Sequence, residues 1–339
     1  MSPLLIASIG AVLLFAFTNG MKDGANVSAT AIASGALSRF WAIVVVAAAE
    51  LSGPYLTAVV LAPKVAATVS RGILDPGVLQ HGDETLIMIV SGVIGALIWN
   101  GLAWAWKLPT SSSLTMVGGL IGPALYRYGW SAVPWSLFLF KVVLAMFLSP
   151  LVGLLAGFLV CRLLRALLAN ATPRANRLIR KAHIGTLVFL GANHGTNDSQ
   201  KAMGIIALLL FAAGANDAMA VPFWVKAVSI IALAAGVVMG GTKIIKTVGY
   251  GIFRVRPLES LESQLGASVL LFACNLAGAP VSTTQLISAS VMGAGSGVRA
   301  RGVRWNLART IVWSWIFTIP LAGLMSLPVF LILKAALLP

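Results

Sequence analysis

Two carboxylates sit in the middle of apolar stretches of this chain, each inside a short polar phrase. The first phrase is FTNGMKDGANVSAT (Phe17 to Thr30) and the second is GANHGTNDSQKAMG (Gly191 to Gly204). Each is followed by a proline that opens a run of hydroxyls, LPTSSSLT from Leu108 and APVSTTQL from Ala279. Asp23 lies 86 residues before Pro109, and Asp198 lies 82 before Pro280. A carboxylate inside hydrocarbon is costly, and chains that keep one there use it. Two matched sets at matched spacing point to an internally duplicated machine with one site shared between its halves.

The hydroxyl runs suit an anion. Thr110, Ser111, Ser112 and Ser113 follow Pro109, and Ser282, Thr283 and Thr284 follow Pro280. Proline is favoured in the first turn of a helix. A helix starting at each proline would aim free backbone N–H groups and hydroxyls at one point, with the positive end of its dipole behind them. Inverted halves would bring the two starts together near the midplane, around one oxyanion. The alternative is that these hydroxyls merely cap or back-bond short helices. Recurrence at the matching place in the other half weighs against it.

The polar phrases suit a cation. Asn19, Gly20, Asp23, Gly24 and Asn26 form one cluster, and Asn193, His194, Gly195, Asn197, Asp198 and Gln200 form the other. Gly and Asn are expected to break both helices here, so that unwound carbonyls beside Asp and Asn oxygens hold a small hard cation such as Na⁺. A proton on Asp23 or Asp198 would serve the same electrostatic end. In the bland reading, each Asp forms a structural salt bridge with Lys22 or Lys201. An anion cradle beside a cation cradle is the arrangement of obligatory cotransport, because local charge cancels only when both ligands are bound. Glu50 is a third intramembrane carboxylate, fit for a site, a proton carrier or helix packing. Gln264, Asn100 and Asn275 read as interhelical hydrogen-bond partners, and Asp217 as a solvated turn residue.

These residues need a membrane scaffold. The 339-residue chain is 59% hydrophobic and 10% charged, with a mean hydropathy of +0.94. That composition marks an all-α polytopic membrane protein. Apolar segments fall near 3–36, 41–62, 84–106, 109–125 and 132–163, then 182–213, 222–240, 260–277, 280–297 and 305–336. The first repeat thus covers 1–165 and the second 182–339, with a basic cytoplasmic linker at 166–181. Five segments per half is odd, so the repeats are expected to have inverted topology. Pro134, Pro150, Pro320 and Pro328 should bend or split the two long segments, giving ten to twelve helices.

With the N-terminus outside, 15 of the 24 Lys and Arg fall on the cytoplasmic side, four outside and five within segments. That distribution makes both termini external. It also explains the net charge of +15 without nucleic acid. Met1 to Phe17 has no basic region before its apolar run and reads as a retained first helix. Cys161 and Cys274 lie in apolar segments and imply neither disulfide framework nor metal cluster.

At NGMKDGANVSAT, HGTNDSQKAMG, LPTSSS and GAPVSTTQ, with KIIKTVGYGI in support, the chain resembles the inorganic phosphate transporter (PiT) family. The resemblance covers essentially the whole chain. It implies inverted repeats in a plasma (inner) membrane, moving phosphate with Na⁺ or H⁺, in some bacterial members as a metal–phosphate complex, with no cofactor. By that resemblance Ser111, Ser112, Ser113, Ser282, Thr283 and Thr284 bind phosphate together with Gln200. Asp23, Asn26, Asn197 and Asp198 hold the coupling cation, and Glu50 matches a carboxylate that relatives need for transport. The chain departs from the family pattern at Leu114 and Gln285, where many relatives carry His, at Gln264, where many carry Glu, and at Lys22, where His is common. Fewer titratable groups favour Na⁺ over H⁺.

The leading expectation is a cation-coupled phosphate symporter working by alternating access. A sulfate permease is the closest rival, but sulfate only accepts hydrogen bonds, whereas hydrogen phosphate also donates, so Asp, Asn and Gln acceptors favour phosphate. An anion channel would need a continuous polar pore. A membrane phosphotransferase would need a nucleophile and base, and of His81, His183 and His194 only His194 lies in a polar cluster; the chain does not read as an enzyme. The apolar outer faces suit lipid or a homo-oligomer equally.

Overall fold

The computed structural model describes residues 2–60, 63–106, 110–172, 175–216, 218–240 and 247–338. Among these residues there are helices and turns and no strands. The principal helices of the first half are α1 (Pro3–Ala33), α2 (Arg39–Val60), α3 (Lys64–Gly72), α4 (Asp83–Ala105), α5 (Ser112–Tyr128) and α6 (Trp135–Leu167). Those of the second are α7 (Ala175–Ala212), α8 (Phe223–Val238), α9 (Pro257–Ala277), α10 (Thr283–Arg299) and α11 (Trp305–Leu337). Among the described residues five helices, α1, α2, α4, α6 and α11, are each long and apolar enough to cross a membrane.

Three of the sequence expectations need correcting. First, α1 and α7 are not broken: both run as continuous helix through their polar phrases. Gly20 and Gly24 serve close packing instead. A Cβ on Gly20 would stand 2.0 Å from the Leu233 carbonyl oxygen of α8, and one on Gly24 would stand 2.6 Å from the Val237 side chain. Glycines four residues apart clear a stripe along which another backbone approaches, so helix and glycine coexist.

Second, Pro280 is not in the first turn of its helix. Helix α10 starts at Thr283, capped by Ser282, whose hydroxyl accepts from the Gln285 N–H at 3.3 Å. Ser111 caps α5 in the same way, accepting from Leu114 N–H at 3.2 Å. Capping by a serine oxygen satisfies an orphan donor that proline cannot reach. Pro109 lies outside the described residues.

Third, the long segments are not split at their inner prolines. Helix α11 continues through Pro320 and Pro328 and α6 through Pro150, while α6 carries one π-helical turn at Phe138–Val143. Helix α7 also begins seven residues before 182, so the end of the expected linker is helical.

The helices sort into three packed groups. α1, α2, α7 and α8 pack on one another in the centre; α11 packs on α4 and α5; α6 packs on α9 and α10. Each half therefore gives its last helix to the other half. The exchange is sealed by matched glycine pairs. Gly118 and Gly122 of α5 meet the α11 backbone at Ile319 and Gly323, and Gly153 and Gly157 of α6 meet the α10 backbone at Leu286 and Ser290. Matched ion pairs close the far ends: Lys334 on Glu84 at 2.6 Å, and Arg165 on Glu259 at 2.5 Å.

Candidate functional site

Helices α5 and α10 contain 17 residues each, fewer than the ~20 that span a bilayer. Their first turns meet inside the protein. Ser113 donates to the Val281 carbonyl at 3.2 Å, across the two tips. Thr110, Ser111, Ser112, Ser113, Ser282, Thr283 and Thr284 are all buried.

The polar faces of α1 and α7 close over these tips. Ser112 donates to Asp23 Oδ2 at 2.5 Å and Thr284 to Asp23 Oδ1 at 2.6 Å. Asn26 donates to Asp23 Oδ1 at 3.2 Å and to Thr284 at 3.0 Å. Asp198 Oδ2 accepts from Asn19 at 3.0 Å, with Thr283 at the long distance of 3.5 Å. Ligating atoms of Asp23, His194 and Asp198 all lie within 4.8 Å of one another. The two aspartates, 175 residues apart in sequence, thus share one site with both hydroxyl runs.

Cations are built in, unequally. Lys201 donates to Asp198 at 2.5 Å, to Ser113 at 2.6 Å and to Val281 O at 2.8 Å, spending all three N–H groups. One ammonium therefore ties the acid of α7 to both helix tips. Lys22 does not mirror it: its Nζ donates to Asn100 at 2.9 Å and Thr110 at 3.3 Å. Among the described residues no carboxylate lies in ion-pair contact with Lys22, so the salt-bridge alternative holds for Asp198 and not for Asp23. Behind Asp198, His194 Nε2 lies 3.2 Å from its Oδ2 while Nδ1 lies 2.7 Å from Glu50 Oε1. Glu50 and His194 are both fully buried.

Two expected site residues stand apart from this centre. Asn197 donates to Asn275 at 2.7 Å and to Ala279 O at 3.2 Å, holding the α9–α10 junction. Gln200 accepts from the N–H groups of Val65 and Ala66 at 2.9 and 3.2 Å, capping the start of α3. Gln264, Asn100 and Asn275 all bridge helices, as their sequence positions suggested; Asp217 lies outside the described residues. Asn19 and His194, members of the two polar clusters, and Lys201, the salt-bridge partner weighed for Asp198, belong to the centre, although none of the three was among the residues expected to bind phosphate or the cation. Asn19 precedes Asp23 by four residues, and Lys201 follows Asp198 by three, spacings that share a helix face.

The donor set suits a hard cation. Besides the carboxylates, Asn19 Oδ1 and Asn26 Oδ1 are buried acceptors with no donor among the described residues. Buried acceptors are nearly always satisfied, so their orientation calls for a partner. The donors on the tips suit an oxyanion, and at present the carboxylates accept them.

Comparison with known proteins shows the family. Residues 19–326 match the phosphate transporter family. A probable low-affinity inorganic phosphate transporter of Mycobacterium tuberculosis (strain CDC 1551 / Oshkosh) is 36% identical over 95% of this chain and 76% of its own length. One of the same description from Bacillus subtilis (strain 168) is 32% identical over 98% of this chain and 97% of its own. A solved structure titled the sodium-dependent phosphate transporter superposes with a TM-score of 0.85, at 23% identity, covering 99% of this chain and 100% of that one. With its two hydroxyl-bearing helix tips facing paired aspartates, and with relatives matching end to end, the chain belongs to the phosphate transporter family.

Proposed function

We propose that the protein imports inorganic phosphate together with Na⁺, by alternating access between two halves of inverted topology in the plasma (inner) membrane, with both termini external. The observation that carries this reading is the shared use of Asp23: hydroxyls from α5 and α10 both donate to it. A cation placed against Asp23, Asp198, Asn19 Oδ1 and Asn26 Oδ1 draws on the same carboxylate lone pairs. Ser112, Thr283 and Thr284 then turn their O–H donors to phosphate, and neither ligand is well held alone. Lys22 and Lys201 keep positive charge at both tips. Na⁺ is favoured over H⁺ because Asn19 Oδ1 and Asn26 Oδ1, the amide acceptors without donors beside the aspartates, do not take up a proton. The solved relative of the same fold is itself described as sodium-dependent.

The test is uptake of labelled phosphate by purified protein in liposomes under an inward Na⁺ gradient or an inward H⁺ gradient. Accumulation under Na⁺, with sulfate competing poorly, supports the reading. Equilibration without accumulation under either gradient rejects it.

A further inference from the structure

The surface around α3 carries a second feature that none of the chemistry above uses. A cavity of about 340 Å³ opens beside α3, lined by Lys64, Thr68, Arg71 and Lys141 together with Ala277 and Gly278. A second cavity of about 250 Å³ shares Lys141, Ala277 and Gly278 and extends to Ala279. Among the described residues no carboxylate lines either one.

The three cations are only partly engaged. Lys64 donates to the Leu276 carbonyl at 3.1 Å and Arg71 to the Ala218 carbonyl at 2.8 Å, leaving further N–H groups of both directed elsewhere. Lys141 lies on the π-helical turn of α6, with its side chain exposed.

The cavity walls are tied to α7 through two contacts. Ala279, at the inner edge, has its carbonyl held by Asn197, and two residues further on the Val281 carbonyl is held by Lys201. Helix α3, which presents Lys64 and Arg71, is capped at its start by Gln200 of α7. Helix α3 is thus fastened to α7, the helix that carries Asp198, two residues from that acid.

We infer that Lys64, Arg71 and Lys141 form a docking site for a phosphate oxyanion on the entry side. This rests on the transport reading above. A cleft lined by one sign of charge raises the local concentration of its counter-ion and speeds capture, with an effect that fades as salt rises.

The experiment uses the full chain with Lys64→Gln, Arg71→Gln and Lys141→Gln combined, in liposomes of phosphatidylcholine alone or with phosphatidylglycerol. Initial uptake of labelled inorganic phosphate is measured at constant Na⁺ while choline chloride sets the ionic strength. The expected result is an approximately tenfold fall in kcat/KM at low ionic strength, carried by KM, with kcat kept. The gap should narrow at high salt and be the same in both lipid mixtures. A kcat loss without a KM change, or no change at all, overturns the docking site. A defect confined to phosphatidylglycerol vesicles also overturns it, because the cluster then serves lipid phosphate. Failure of the unsubstituted protein to accumulate phosphate would reject the transport reading instead, so the two failures are separable.

Discussion

Ser112 donates its hydroxyl to Asp23 across 2.5 Å, so the helix tip suited to an anion is held by the acid suited to a cation. The two constellations legible in the sequence are therefore interlocked rather than adjacent. Thr284 repeats the contact from the other half at 2.6 Å. Any cation on Asp23 competes with hydroxyls that are themselves the natural donors to phosphate, and this competition is the physical form the coupling takes.

The two aspartates should respond differently to neutralisation. Asp198→Asn leaves Lys201 buried without its acid, a loss of about 3–5 kcal/mol for a broken buried pair. Asp23 has hydrogen bonds but no ion pair among the described residues, so Asp23→Asn should cost less. Thermal unfolding in detergent should rank Asp198→Asn clearly below Asp23→Asn, and both should lose concentrative uptake. Equal melting temperatures would contradict the asymmetry.

Within each hydroxyl run the residues divide into caps and donors. Ser111→Ala and Ser282→Ala remove helix caps and should lower stability by about 1 kcal/mol each with little change in phosphate KM. Ser112→Ala combined with Thr284→Ala removes two donors. It should raise phosphate KM by about tenfold or more, at about 1 kcal/mol per hydrogen bond, and more than it shifts the Na⁺ dependence. Uptake kinetics beside melting curves separate the two classes.

How much of the molecule is legible in its sequence depends on whether the cause is local. The phrases around Asp23 and Asp198 announce a buried polar site because an acid in apolar sequence is too costly to keep without a partner or a ligand. Gly20 and Gly24 read as helix breakers, since a glycine that unwinds and a glycine that admits Leu233 look alike until the neighbouring helix is known. Gln200 offers the same lesson, because capping Val65 N–H depends on a helix start 135 residues away. The exchange of α6 and α11 between halves, fixed by contacts such as Arg165 with Glu259, leaves no local signature at all.

That exchange makes its own prediction. A Cβ at Gly118 would stand 2.2 Å from the Ile319 carbonyl oxygen, whereas one at Gly101 meets nothing within 4 Å. Gly118→Ala should destabilise by about 1–3 kcal/mol through overpacking. Gly101→Ala should be neutral or slightly stabilising, as expected for alanine in a helix. A melting temperature for Gly118→Ala at or above that of Gly101→Ala would contradict the packing.

Lys22 should act on the anion rather than on the cation. Its ammonium bonds Thr110 and Asn100 beside the start of α5. Lys22→Gln should raise phosphate KM about tenfold, equivalent to about 1.4 kcal/mol, and leave the half-saturating Na⁺ concentration near its original value. Lys22→Arg should recover part of the loss. An unchanged KM in Lys22→Gln would remove this charge from the phosphate site.

The central claim is the mutual dependence of two ligands, and equilibrium binding reads it without the complications of transport. Labelled phosphate is titrated onto purified protein at fixed pH in Na⁺ or in choline. Linkage requires any gain in phosphate affinity from Na⁺ to be matched by an equal gain in Na⁺ affinity from phosphate. The account predicts phosphate binding at least tenfold tighter in Na⁺, with that gain abolished in Asp23→Asn. Equal phosphate affinity in Na⁺ and choline, with Asp23 intact, would contradict it.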